Sequence, residues 1–186
     1  QESFVLDIGS NDGVFLSPLK ENGIKILGVD PAENLVNLAN SNGLETLHGY
    51  FDDKITDEII ASKGRADIVT AFNVFAHADD LKSIAKNVFK VLKNSGIFII
   101  EVQYLLDTIK DLTFDNIYHE HVNYWSVHTL QFFFHSLDLQ LVKVEHVNTH
   151  GGSIRAFISA KKETETDRSV EDFIAREKQF GLDNLA

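Results

Sequence analysis

The sequence predicts an α/β fold: a mostly parallel sheet with helices on both faces and a late antiparallel hairpin. Three observations predict it. Short apolar runs alternate with amphipathic stretches through the first half of the chain, the pattern of βαβ units. Two of those runs, 24–29 and 97–102, are apolar at nearly every position, as strands covered by helices on both faces must be. Late in the chain, strand-like runs at 139–146 and 153–160 are joined by too few residues for a crossover helix, so they pair antiparallel.

Taken in order, the first five strands are expected at 3–8, 24–29, 45–48, 66–72 and 96–102. Helices are expected between them at 14–22, 33–41, 53–62 and 81–92. Asn42-Gly43 and Asn94-Ser95-Gly96 read as helix stops, because Gly and Asn accept the left-handed cap conformation. After Tyr104 the pattern changes to an aromatic, loop-like segment at 114–126, followed by a helix at 127–137 and then the hairpin. Beyond residue 160 the chain turns polar, and a last helix is expected at 170–180 with Ser169 and Asp172 as its capping pair. The expected organisation is one domain over 1–162, then a linker and helix over 163–186 leading towards a further domain.

Composition narrows the function. With 186 residues, 44% hydrophobic and 24% charged, the chain can bury one sizeable core. A net charge of −11 without a Lys/Arg cluster argues against a nucleic-acid partner. The lack of cysteine excludes disulfides, thiolate metal sites and cysteine nucleophiles. No apolar run approaches the roughly 20 residues of a membrane span, and no signal-peptide pattern is present, so a cytoplasmic protein without a membrane partner is the simplest reading. The chain opens at Gln1, directly before a strand, which reads as a piece of a longer protein.

The most informative segment is Val5-Leu6-Asp7-Ile8-Gly9-Ser10-Asn11-Asp12-Gly13. Ligands of open α/β sheets sit at the carboxyl ends of strands, where glycine lets the backbone approach closely. The turn here is D-x-G-S-N-D-G and lacks the G-x-G-x-x-G spacing that cradles a pyrophosphate. Its extra acid suits a ligand with a cationic amine and free hydroxyls, such as S-adenosylmethionine. Asp7 falls inside an apolar strand, where a carboxylate is costly without a partner; a ligand ammonium or backbone N–H groups of the turn would supply one. Gly9, Asn11 and Asp12 complete the turn, and Asp12 also reads as a helix N-terminal acid.

Asp30-Pro31 follows the second strand about 20 residues on, the placement for gripping a ribose diol, and Asp30 can equally cap the next helix. After the third strand Phe51 offers an aromatic face where an adenine would lie, or a core residue. Asn73, at the end of the fourth strand, reads as a contact to the cofactor's amino-acid end or as a strand-terminal turn residue. The late hairpin separates two candidate folds. Nicotinamide-binding sheets are all parallel, whereas class I S-adenosylmethionine-dependent methyltransferases end in an antiparallel strand. The second topology is the one expected.

The other unusual segment runs Phe114-Asp115-Asn116-Ile117-Tyr118-His119-Glu120-His121-Val122-Asn123-Tyr124-Trp125-Ser126. His119 and His121 share a face only in extended chain, unlike the helical H-E-x-x-H of a metalloprotease, and zinc would need a third ligand; no metal is expected. General acid–base chemistry needs only a group of suitable pKa within reach of the proton, and histidine titrates near neutrality.

These motifs, together with N-V-F-A-H at 73–77 and H-G-G-S-I-R at 150–155, resemble the sugar C-methyltransferases, which methylate carbon on nucleotide-linked keto-deoxysugars. The resemblance covers nearly the whole chain. It implies a protein of three parts, with a zinc-binding N-terminal domain, a central cofactor domain and a C-terminal Rossmann-like domain; this chain looks like the central part plus the first helix of the last. It implies that Tyr118, Glu120 and His121 match the catalytic Y-x-E-H, and that His77 matches a further active-site histidine. On that reading His121 removes the proton α to the sugar ketone, with Tyr118 as the alternate base. Glu120 orients the sugar and His77 stabilises the enolate oxygen. S-adenosylmethionine gives its methyl and leaves as S-adenosylhomocysteine. His150 and Gly151 approach the substrate, Arg155 holds a phosphate or carboxylate, and His119 carries no role. The premise is an acid-lined crevice holding the donor next to the tyrosine–histidine loop. The alternatives are an O- or N-methyltransferase on another small metabolite, or a cofactor-binding domain without catalysis.

Overall fold

The computed structural model describes residues 3–161 and 164–183. In chain order the elements are β1 (Phe4–Ile8), α1 (Leu16–Glu21), β2 (Lys25–Asp30), α2 (Glu33–Ser41), β3 (Thr46–His48), α3 (Asp53–Lys63), β4 (Ala66–Phe72) and α4 (Leu81–Val91). There follow β5 (Leu92–Gln103), α5 (Leu105–Lys110), a 3-10 turn at Phe114–Asn116, α6 (Val127–His135), β6 (Gln140–Val147), β7 (Ser153–Ser159) and α7 (Arg168–Phe180). The strand order is β3-β2-β1-β4-β5-β7-β6. Pairs β1–β2, β1–β4 and β2–β3 are parallel, and β6–β7 is antiparallel. That is the mixed sheet of the class I methyltransferase topology expected from the hairpin.

The chain divides into two compact units. The first takes the chain up to Phe72 together with Asp80–Phe98; the second takes Asn73–Asp79 and the chain from Ile99 onward. In the first unit every residue of β1 is buried, and Leu6, Leu27, Val69 and Ile59 are sealed from solvent. Burying such side chains supplies about 1.5–3 kcal/mol each. Two acids start its helices: Asp52 accepts from Ile55 N at 2.9 Å, and Asp80 from Ser83 N at 3.0 Å. Asn42-Gly43 ends α2 as expected, with Gly43 at φ 73° and Leu44 N donating to the Ala39 carbonyl.

The other expected stop is not one. Asn94-Ser95-Gly96 lies within β5, which begins at Leu92 with no linker after α4. Val91 and Leu92 are both buried, and Leu92 already has extended dihedrals, so core burial carries the chain directly from helix to strand. Lys93 then pins this early stretch by donating to both oxygens of Asp67 in β4, at 2.7 and 2.8 Å. Helix α5 and the 3-10 turn also go beyond the elements expected.

In the second unit Phe75, Trp125, Phe133 and Phe134 form an aromatic cluster with ring centroids 5.0–6.5 Å apart. Helix α6 opens on a reciprocal pair, Ser126 and Thr129 each capping the other's backbone. Helix α7 starts two residues before the expected 170, and Asp167 is its cap. Ser169 is drawn elsewhere: its hydroxyl accepts from Val144 N at 3.1 Å, while Asp167 N donates to the Val142 carbonyl at 2.7 Å. These bonds satisfy the outer edge of β6, which would otherwise present unpaired backbone. Among the described residues no helix is long and apolar enough to cross a membrane.

Glu177 of α7 is buried, and its carboxylate takes the first two amides of α6, Val127 N at 2.6 Å and His128 N at 3.0 Å. Negative charge at a helix N-terminus is favoured, and leaving one buried and one part-buried amide without an acceptor is costly. Glu177→Ala is therefore expected to lower unfolding stability by about 2–4 kcal/mol, and Glu177→Gln by roughly half as much, both read from urea denaturation.

Candidate active site

Asp7 is the next-to-last residue of the first unit's central strand and is only 4% exposed. Its Oδ1 accepts from the Thr70 hydroxyl of β4 at 2.5 Å. Its donor among the described residues is thus a side chain 63 residues away and not a backbone N–H of the turn. Burial pushes the Asp7 carboxyl up to about 7, the charge of Asp30 pushes in the same direction, and the Thr70 bond opposes both.

Asp30 ends β2 and is also buried. Its Oδ2 accepts from Asn11 N at 2.9 Å and its Oδ1 from Ala32 N at 2.8 Å. It therefore joins the β1 turn to the entry of α2, although the helix itself begins at Glu33. Gly9 N donates to the Val29 carbonyl at 2.8 Å, and Gly28 lets the turn lie against β2: a Cβ there would collide with the Ser10 hydroxyl. Asn11, at φ 54°, accepts from Asp12 N through its side chain. Asp12 accepts from Val14 N at 3.2 Å, so it braces the turn and is not a first-turn acid of α1, which starts at Leu16. The Pro31 carbonyl accepts from His48 Nε2 at 3.0 Å. Phe51 is core at 8% exposure; the aromatic face open after β3 belongs to its neighbour Tyr50, at 78%.

In the second unit Asn73 follows β4 with φ 58°, and its N–H donates to the Glu101 carbonyl at 2.9 Å. Its Oδ1 is buried and accepts nothing among the described residues. The 114–126 segment is laced to the stretch after Asn73: Val122 N and Asn123 N both donate to the Ala76 carbonyl, and Asn123 Nδ2 to that of Ala78.

His121 is 8% exposed, and its Nδ1 lies 2.8 Å from the Asn116 carbonyl. A carbonyl only accepts, so Nδ1 carries the proton and Nε2 of the neutral ring keeps its lone pair. Tyr118 Oη lies 3.2 Å from Nε2 and Gln103 Nε2 at 3.5 Å. Tyr118 is the accessible member of the pair, at 41% exposure. The His77 ring lies against that of His121, tilted 49° with centroids 4.8 Å apart, and its Nδ1 donates to the Glu120 carbonyl at 2.9 Å. Neutral His77 thus presents an acceptor at Nε2; it can serve an oxyanion, as expected from sequence, only after taking a second proton. The Glu120 side chain is exposed, with His119 4.0 Å away, and it is the backbone of Glu120 that touches His77.

His150 and Gly151 form the tip of the β6–β7 hairpin, at φ 50° and 77°. Arg155 is committed to Glu101, with Nη2 2.8 Å and Nε 3.3 Å from Oε2. Sequence reasoning missed Thr70, Glu101, Gln103 and Asn116. Glu101 carried the same signal as Asp7, an acid inside an apolar strand. Asn116 acts through its carbonyl, which no side-chain pattern reveals. Among the described residues no group of three or more His, Asp or Glu is placed to hold a metal ion.

The methyltransferase domain family matches residues 1–144. The chain belongs to that family. This methyltransferase domain is 36% identical over 179 residues to the C-methyltransferase NovU of Streptomyces niveus, covering 96% of this chain and 43% of NovU. A ubiquinone biosynthesis O-methyltransferase of Bradyrhizobium diazoefficiens is 32% identical over 97 residues, covering 52% of this chain and 38% of that protein. The domain thus spans less than half the length of these relatives. Magnesium protoporphyrin IX methyltransferase of Synechocystis, solved with S-adenosylhomocysteine bound, shares the fold at TM-score 0.66 and 12% identity, over 86% of this chain and 75% of its own.

Because the Asp7 carboxyl holds its proton more tightly when folded, its contribution to stability is full below the unfolded value of 3.8 and is lost as pH rises through about 7. Asp7→Asn keeps an acceptor for Thr70 and removes the charge. Without cofactor its Tm relative to wild type is expected to rise by about 5 °C between pH 5 and pH 8, read by thermal denaturation of both proteins at both pH values.

Proposed function

We propose that this domain binds S-adenosylmethionine and methylates carbon on a nucleotide-linked keto-deoxysugar, with His121 as the general base. The observation that carries the reading is the His121 ring, whose Nδ1–H is held by the Asn116 carbonyl so that Nε2 is basic and hydrogen-bonded to Tyr118. A C–H α to a ketone is a weak acid, and removing its proton calls for such a base. The name of NovU supports carbon as the acceptor.

The residues present fit the cofactor. In the first unit Asp7 has a buried carboxyl with one hydroxyl as its donor, which suits a cationic amino-acid end; in the second, the Asn73 side-chain oxygen has no donor among the described residues. Each Asp30 oxygen takes one amide and retains capacity for a ribose hydroxyl. Gly9, Asn11, Asp12 and Pro31 shape the turns around Asp30, and Tyr50 replaces Phe51 as the aromatic face for an adenine. When bound, S-adenosylmethionine supplies an electrophilic methyl on a sulfonium.

On the substrate side, Tyr118 meets solvent and passes its hydroxyl proton towards His121 Nε2, so the pair removes the α proton either directly or through the phenol. Protonated His77, and the exposed Glu120, serve the sugar oxygens. An apolar hollow of about 380 Å³ lined by Leu105, Ile109, Leu112, Ile117 and Tyr124 borders the same loop and suits a deoxygenated sugar face.

Two measurements test the reading. Calorimetry is expected to detect S-adenosylhomocysteine binding and no NAD binding, with Asp30→Ala weakening the former at least ~10-fold. With S-adenosylhomocysteine present, wild type is expected to exchange the α proton of a nucleoside-diphosphate-linked keto-deoxyhexose with deuterated solvent, and His121→Ala to do so at least ~100-fold more slowly. Turnover little changed by His121→Ala would point to O- or N-methylation. Cofactor binding with no exchange would point to a binding domain.

A further inference from the structure

Glu101 lies in β5 within an otherwise apolar run and is 5% exposed. Three of its oxygens each take a donor from a different segment of the second unit. Oε1 accepts from the Thr149 hydroxyl at 2.8 Å, and Oε2 from Arg155 Nη2 at 2.8 Å and Nε at 3.3 Å. The main-chain carbonyl accepts from Asn73 N at 2.9 Å. Thr149 and Arg155 flank the tip of the β6–β7 hairpin, so one buried carboxylate grips the tip from both sides.

The tip needs gripping. His150, Gly151 and Gly152 have φ of 50°, 77° and 113°, three successive residues in the left-handed half of backbone space. That region is unfavourable for histidine and persists where the surroundings over-determine it. Within the tip, Gly152 N and the Ser153 hydroxyl both donate to the Thr149 carbonyl, at 2.9 and 3.0 Å. Gly152 is the residue this packing requires, since a Cβ there would run into the Asp107 carboxylate.

We propose that Glu101 is a positioning residue of this domain: through Thr149 and Arg155 it holds the His150–Gly152 tip in the conformation that meets substrate. Arg155 is then the counter-ion of a buried carboxylate of the chain itself. The proposal rests on the functional reading above only in taking the tip as a substrate contact. The Asn73 bond comes from the Glu101 carbonyl, so side-chain substitution leaves it in place, and Glu101 variants should separate the substrate side from the cofactor side.

The test compares wild type, Glu101→Gln, Thr149→Val and Thr149→Ser in the full chain. Amide hydrogen exchange at 149–152 is expected to quicken at least ~10-fold in Glu101→Gln and Thr149→Val, and to return to the wild-type rate in Thr149→Ser, which keeps the hydroxyl. With the keto-deoxyhexose probe, KM is expected to rise ~10-fold in Glu101→Gln while kcat stays within about threefold, and the Kd for S-adenosylhomocysteine to stay within about twofold. Unchanged tip exchange would overturn the proposal. So would a parallel loss of cofactor affinity and global exchange protection, which marks a purely architectural role. If wild type turns over no keto-sugar, the functional reading fails, and the exchange rates still decide whether Glu101 holds the tip.

Discussion

A carboxylate taken out of water must be given donors or a proton, and four buried carboxylates organise the described parts of this chain. Each is answered differently. Asp30 receives two backbone amides from separate turns. Glu177 receives the first two amides of a helix. Glu101 receives a guanidinium and a hydroxyl. Asp7 receives one hydroxyl, which is too little, and the shortfall appears as a carboxyl that holds its proton to about pH 7. The three that are well supplied join loops and helix ends to the strands and helices that carry them. The one that is under-supplied sits at the turn whose chemistry suits a cationic ligand.

The same logic extends to the imidazoles. Backbone carbonyls at Asn116 and Glu120 decide which nitrogen of His121 and of His77 carries the proton. For His121 this leaves the lone-pair nitrogen facing a tyrosine hydroxyl. Strain marks the neighbouring positions: Asn73 and His150 both lie at positive φ, each beside a bond to Glu101 or to its partner Thr149.

Much of the fold was legible in the order of apolar runs. The alternating strands and helices, the Gly43 stop and the antiparallel hairpin follow from periodicity and spacing. The Leu92 junction did not, because Asn-Ser-Gly is a strong local stop signal and only the burial of Val91 and Leu92 outweighs it. Within the candidate site the residue types were legible and their partners were not. Phe51 and Tyr50 are adjacent aromatics, and nothing local says that the first is core and the second exposed. Asp12 precedes a helix by sequence, but the short α1 begins too late for it to act as a first-turn acid. Arg155 carries a charge that suggests an anion, and Glu101 meets it from 54 residues away.

By itself the sequence determined the kind and order of the elements, the acid-rich turn after the first strand, and the presence of titratable side chains on one loop. These are local properties, set by side-chain volume, hydropathy and backbone preference over a few residues. Only the tertiary structure decided which buried charge meets which donor, which nitrogen of each ring is protonated, and which aromatic faces water. Those outcomes depend on groups tens of residues apart in the chain, such as Asp7 with Thr70 and Glu101 with Thr149, and desolvation makes their energies large only once folding has brought them together.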